Sequence, residues 1–124
     1  MARVLVADDN ADTRDALALI LRAVGHEVVG AADGEEAVNL YRAAPFDVLV
    51  LDLLMPKRDG FETLRMLKAE FPALRTLVIS GAWRVAGRDA LNYARELGAT
   101  LAMLKPAEPN IVVRAIEELL ALAP

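Results

Sequence analysis

The chain has no cysteine, so disulfide frameworks and thiolate metal sites are excluded outright. It has a single histidine, His26, which rules out a multi-histidine metal centre within one chain. Basic residues are outnumbered 14 to 18, giving a net charge of −4, and this balance lacks the positive footprint of a nucleic-acid binder. No apolar run approaches the roughly 20 residues that cross a bilayer. The opening Met1-Ala2-Arg3-Val4-Leu5-Val6-Ala7 stops at two aspartates, too soon for the apolar region of a secretory signal. These absences lead to the expectation of a cytoplasmic protein with no nucleic-acid or membrane partner. What the chain has in quantity is apolar surface: 56% of its 124 residues are hydrophobic, which excludes intrinsic disorder. A chain of this length makes one domain and buries roughly two-thirds of its unfolded surface.

Two periods alternate along it. Short apolar runs occupy Val4–Ala7, Val48–Leu51, Leu77–Ile79 and Leu101–Leu104, with a weaker one at Val28-Val29. Between them lie stretches of helical spacing. Leu17, Ile20, Leu21 and Val24 form the first, stopped by Gly25, and Ala37, Leu40, Tyr41 and Ala44 the second, ended by Pro45. Phe61, Leu64, Leu67 and Phe71 mark a third, closed by Pro72, and Leu91, Ala94 and Leu97 a fourth, stopped by Gly98. Val112, Ala115, Ile116, Leu119 and Leu120 make the clearest stripe. Five strand-then-helix repeats with near-continuous apolar strands predict an α/β fold, a parallel sheet covered on both faces.

Polar residues stand where the apolar runs stop: Asp8-Asp9 after the first, Asp52 after the third, Ser80 after the fourth and Lys105-Pro106 after the fifth. All fall at the carboxyl ends of parallel strands, the edge where open α/β sheets bind ligands. Three carboxylates gathered there repel one another without a cation. Oxygen donors alone select a hard ion, with Mg²⁺ the natural choice. Lys105 adds a compact positive charge and Ser80 a hydroxyl. Together these groups suit a phosphoryl group held between a metal, a lysine and a hydroxyl, with a carboxylate as acceptor.

At these residues the chain resembles a receiver domain of a two-component response regulator, of the single-domain, CheY-like type. The match rests on Asp8-Asp9, on Asp52-Leu53-Leu54-Met55-Pro56 followed by Gly60, on Ser80-Gly81 and on Lys105-Pro106, in that order. The resemblance implies a (βα)5 doubly wound, flavodoxin-like sheet in the order 2-1-3-4-5. The expectation is a single receiver domain over residues 1–124 with no output domain in this chain, either a stand-alone regulator or a receiver cut from a longer protein such as a hybrid kinase. Asp52 would accept a phosphoryl group from a histidine kinase or phosphotransfer protein. Asp9, Asp52 and the Leu54 backbone carbonyl would bind Mg²⁺ directly, with Asp8 acting largely through water. Lys105 would pair with the phosphoryl oxygens, Ser80 would swing in to hydrogen-bond them, and Pro106 would follow a cis peptide bond. The output would be contact with a downstream protein, from a monomer or weak dimer with at most slow autodephosphorylation.

Three departures from the family pattern carry their own expectations. Ala102 stands where relatives place an aromatic ring that rotates on activation. The segment Gly81–Leu97 is long by about one helical turn and predicts an extended or irregular loop; its Trp83 either rides a switching loop or plugs an apolar gap. Leu54 and Ala82 offer no polar group to steer water, so a phosphoaspartate should hydrolyse slowly. Two other α/β classes fit less well. A phosphohydrolase with an aspartate nucleophile wants an acid two residues on, where Leu54 stands. A flavodoxin-like cofactor binder wants a phosphate-cradling loop where Asp8-Asp9 would repel the anion. A degenerate receiver acting by constitutive contact keeps the fold and drops the switch. His26 reads as an ordinary surface residue, and Met55, Met66 and Met103 as core filler.

Overall fold

The computed structural model describes residues 2–55, 59–85 and 87–122. Pro56, quoted above, lies outside them.

The elements run β1 (Arg3–Ala7), α1 (Ala11–Ala23), β2 (Glu27–Ala31), α2 (Gly34–Ala43), β3 (Val48–Asp52), α3 (Gly60–Glu70) and β4 (Thr76–Ser80). Two two-residue strands follow, β5 (Arg84–Val85) and β6 (Arg88–Asp89), then α4 (Ala90–Glu96), β7 (Leu101–Leu104) and α5 (Pro109–Leu120). The five principal strands form one parallel sheet in the order β2-β1-β3-β4-β7, the doubly wound order that the resemblance implies.

Burial of both faces explains the near-continuous apolar strands. Alternate side chains point to opposite sides: Leu5, Leu49, Leu51 and Val78 pack with α2, α3 and α4, whereas Val4, Val6, Val50, Leu77 and Ile79 pack with α1 and α5. At roughly 1.5–3 kcal/mol per fully buried aliphatic side chain, these two layers are the main stabilising term.

Four of the five helices start where short polar side chains cap them, and α5 starts instead on Pro109. Asn10, Asp33, Asp59 and Asp89 each accept a hydrogen bond from a backbone N–H in the first turn. Gly25 and Gly98 end α1 and α4 at φ of 96° and 112°, a backbone region that strongly favours glycine.

Four local expectations are corrected. Val24 is the half-exposed C-cap of α1 rather than part of its buried stripe, because the helix stops one residue earlier. The second strand is five residues, not two; as an edge strand it is only partly buried, with Glu27 and Gly30 exposed, so Val28-Val29 alone show in the hydropathy. The long segment after Ser80 is a small antiparallel hairpin pairing Arg84 with Asp89 and Val85 with Arg88. Finally, His26 is half-buried and its Nδ1 accepts a hydrogen bond from the Ala2 N–H, tying the turn after α1 to the start of β1.

Candidate functional site: an acidic cluster with one lysine

Parallel pairing brings the ends of β1, β3, β4 and β7 to one edge, and the residues that terminate them meet there. Asp8 and Asp52 are buried, at 4% and 7% exposure, while Asp9 is open to solvent. Carboxylate oxygens of Asp8, Asp9 and Asp52 all lie within 4.8 Å of one another. The Lys105 ammonium spans the buried pair, 3.0 Å from Asp8 Oδ2 and 3.4 Å from Asp52 Oδ2. Three carboxylates against one ammonium leave a net charge of about −2 in the cluster when all four groups are ionised. Such a cluster attracts a further cation.

Each of the two buried acids is held by its own loop. Asp8 Oδ1 accepts from the Asn10 N–H at 2.9 Å, and the Asp8 carbonyl accepts from the Arg14 guanidinium at 2.8 Å. The Leu54 N–H donates to Asp52 Oδ1 at 3.3 Å, so the chain curls around the Asp52 carboxylate. Burial pushes the Asp52 carboxyl above its usual range; Lys105 pulls it back, the Asp8 charge pushes it further up, and the Leu54 N–H lowers it again. For Lys105, burial disfavours the ammonium, but the hydrogen bond to Asp8 and the charges of both carboxylates outweigh it and its pKa is raised.

Gly60 makes this geometry possible. Its N–H donates to the Leu53 carbonyl at 2.7 Å, and a Cβ there would sit 2.4 Å from both the Asp52 carbonyl oxygen and Leu53 Cα. Only a residue without a side chain lets α3 start against the end of β3.

Ser80 is fully buried at the end of β4, and its hydroxyl engages its own loop, donating to the Ala82 carbonyl at 3.2 Å and accepting from the Ala82 N–H at 3.1 Å. Its carbonyl accepts from the Lys105 N–H at 2.8 Å, which joins the hydroxyl-bearing loop to the lysine strand. The Lys105–Pro106 peptide is cis. Leu54 is half exposed beside the cluster. Trp83 is 74% exposed, which removes the reading of it as a core plug. Ala102 is half-buried and pairs with Val78.

Sequence reasoning missed Arg14. The readable trace was Gly30 opposite it: a Cβ on Gly30 would meet Arg14 Cδ at 3.2 Å, so the edge strand leaves room for the guanidinium to reach Asp8. Also unforeseen was the tilted contact of Phe61 on α3 with Tyr93 on α4, ring centroids 5.0 Å apart, and Arg88 lying 4.2 Å over the Tyr93 ring.

Residues 4–117 match the family described as response regulator receiver domain. The chain belongs to that family. The receiver domain is 37% identical over 116 residues to the transcriptional regulatory protein PdtaR of Mycobacterium tuberculosis, covering 93% of this chain and 55% of that protein. It is 41% identical over 113 residues to the response regulator receiver protein Anae109_2439 of Anaeromyxobacter, covering 90% and 46%. A third relative, the protein-glutamate methylesterase/protein-glutamine glutaminase 2 of Cereibacter sphaeroides, is 44% identical over 107 residues, covering 85% and 29%. The chain therefore spans about half the length, or less, of these curated relatives. Among solved structures, the receiver domain of NtrX from Brucella abortus superposes with a TM-score of 0.88 at 28% identity, covering 97% of this chain and 99% of that one. Vibrio cholerae CheY4 gives 0.86 at 28%, covering 96% and 98%. Receiver domains are signalling switches that generally bind Mg²⁺ at an aspartate cluster, and this chain carries such a cluster. Among the described residues, no helix is long and apolar enough to cross a membrane.

Proposed function

We propose that this receiver domain is a phosphorylation-controlled switch whose acceptor is Asp52. The observation that carries the reading is the placement of Lys105 between Asp8 and Asp52, with Asp9 beside them. An acceptor must be ionised to attack phosphorus, yet burial pushes Asp52 toward its neutral form. Lys105 opposes that shift and keeps a positive charge where phosphoryl oxygens would arrive.

The donor class is a phosphohistidine on a kinase or phosphotransfer protein. A carboxylate oxygen of Asp52 forms the new O–P bond as the donor's N–P bond breaks, and the electron pair of that bond returns to the imidazole nitrogen. Asp9, Asp52 and the Leu54 carbonyl would hold Mg²⁺, with Asp8 reaching it through water; three acid groups within 4.8 Å suit a hard cation that keeps several waters. When bound, Mg²⁺ supplies charge neutralisation for the phosphoryl oxygens. Lys105 then trades its contact with Asp52 for one with the phosphoryl group while retaining Asp8. The Ser80 hydroxyl leaves Ala82 for the same group and draws its loop along. Added charge at one carboxylate thus becomes a loop movement that a downstream protein reads.

Incubation with acetyl phosphate and Mg²⁺, followed by intact mass measurement, tests this. One phosphoryl group should add to the wild type and none to Asp52→Asn. An undiminished gain on the variant contradicts the assignment.

A further inference from the structure

Between the first turns of α1 and the start of α5 lies a cavity of about 520 Å³, within the range of small-molecule sites. Asp8, Asp52 and Lys105 meet at one end of it, and the rest of its lining is largely apolar. Leu17 and Ile20 of α1 form one wall, Ala107 and Pro109 the other, and Val50 and Ile79 lie along the sheet side. The cavity exists because small residues stand where larger ones would fill it: Ala16 at the exposed rim on α1, Ala107 opposite, and Gly81 beside Lys105. Nothing in the phosphoryl chemistry above uses this apolar annex.

Its two ends differ in chemistry. One end presents aliphatic carbon; the other presents two buried carboxylates sharing one ammonium, with the open carboxylate of Asp9 nearby. An anion would meet that excess of negative charge, and a neutral molecule would leave it uncompensated. A compact cation on an apolar body satisfies both ends, its head taking carboxylate oxygens and its body the annex.

We propose that this cavity binds small organic cations, of the aryl- or alkylammonium class, and that their binding opposes that of Mg²⁺. The second clause rests on the metal role proposed above; the first rests only on the cavity and its charges. Occupancy of the carboxylate end by an ammonium head would take the carboxylates needed by the metal and lower phosphorylation of Asp52. The receiver would then report a metabolite as well as a kinase.

Three ligands with closely similar apolar bodies test it: 2-phenylethylammonium, 2-phenylethanol and 3-phenylpropionate, each titrated into methyl-labelled protein without Mg²⁺. The cation should shift the methyl signals of Leu17, Ile20 and Ile79 saturably and leave Leu64, on the other face of the sheet, unmoved. It should bind about tenfold more tightly than the alcohol, equivalent to about 1.4 kcal/mol, with the carboxylate weakest. Ala16→Phe, at an exposed position, and Ala107→Leu, from the opposite wall, should each abolish the shifts while leaving Asp52 phosphorylation by acetyl phosphate intact. Equal affinity for all three ligands, or shifts that survive both variants, would overturn the proposal. If the cation binds as described and Asp52 is not phosphorylated, the cavity assignment stands and the switch assignment falls. If Asp52 is phosphorylated and no methyl shifts, the reverse holds.

Discussion

Gly60→Ala separates packing from helix propensity, because the two predict opposite signs. Propensity alone favours alanine in a helix by up to about 1 kcal/mol. The close approach at the start of α3 says otherwise. A Cβ at residue 60 sits 2.4 Å from the Asp52 carbonyl oxygen, while ordinary contact begins near 3.4 Å, so α3 must retreat by about 1 Å. The Gly60 N–H bond to the Leu53 carbonyl, now 2.7 Å, would lengthen to about 3.7 Å and be lost. Losing it costs about 1 kcal/mol, and forcing backbone apart adds roughly 1–3 kcal/mol. Net of propensity, Gly60→Ala should destabilise by about 1–3 kcal/mol and lower the melting temperature by about 4–12 °C in a domain this size. Gly81→Ala is the control, since its Cβ would meet only Lys105 Cδ at 3.9 Å; it should stay within about 0.5 kcal/mol of wild type. Urea titration followed by circular dichroism measures both. The same retreat displaces Asp52, so Gly60→Ala should also accept phosphoryl groups more slowly. A Gly60→Ala variant as stable as wild type would refute the close-packing account of this turn.

Lys105→Met leaves two buried carboxylates without their shared ammonium and should destabilise by about 1–3 kcal/mol, less than a fully buried pair because Lys105 is 29% exposed; a melt without metal that shows no loss would contradict the pairing. Burial raises the Asp52 pKa, so folding favours its protonated form: that contribution is complete below about pH 4 and is lost as pH rises through the folded value. Asp52→Asn should accordingly raise the metal-free melting temperature at pH 7, with the gain shrinking toward zero near pH 4; an equal gain at both pH values would mean that ionisation is not its source. Trp83 is exposed three residues after Ser80, whose hydroxyl holds the loop through Ala82. Beryllofluoride with Mg²⁺ should change its fluorescence, and Ser80→Ala should shrink the change; a flat signal with ion binding verified by calorimetry would exclude this loop as transmitter.

The sheet was legible because a strand buried on both faces leaves an uninterrupted apolar run, as Val48–Leu51 does. Edge strand β2 was only half legible, since Glu27 and Gly30 interrupt its apolar positions. The site was legible for a different reason: charge where an apolar run ends is conspicuous, and parallel pairing sends Asp8, Asp52, Ser80 and Lys105 to one edge without detailed packing knowledge. Arg14 was illegible because an arginine on a helix ordinarily faces water, and its partner is a backbone carbonyl that hydropathy does not show. The hairpin after Ser80 escaped for a similar reason. Its four paired residues include three charged ones, so no apolar alternation marks it. The cavity beside α1 arises from several small side chains far apart in sequence, and only the fold brings Ala16 near Ala107.

The most direct test of the account locates the phosphoryl group chemically. An acyl phosphate on aspartate is reduced by borohydride to homoserine, which peptide mass mapping places at a single position. After acetyl phosphate and Mg²⁺, the account predicts homoserine at Asp52 and at neither Asp8 nor Asp9. Homoserine at Asp8 or Asp9, or a stable mass gain without any homoserine, would contradict it.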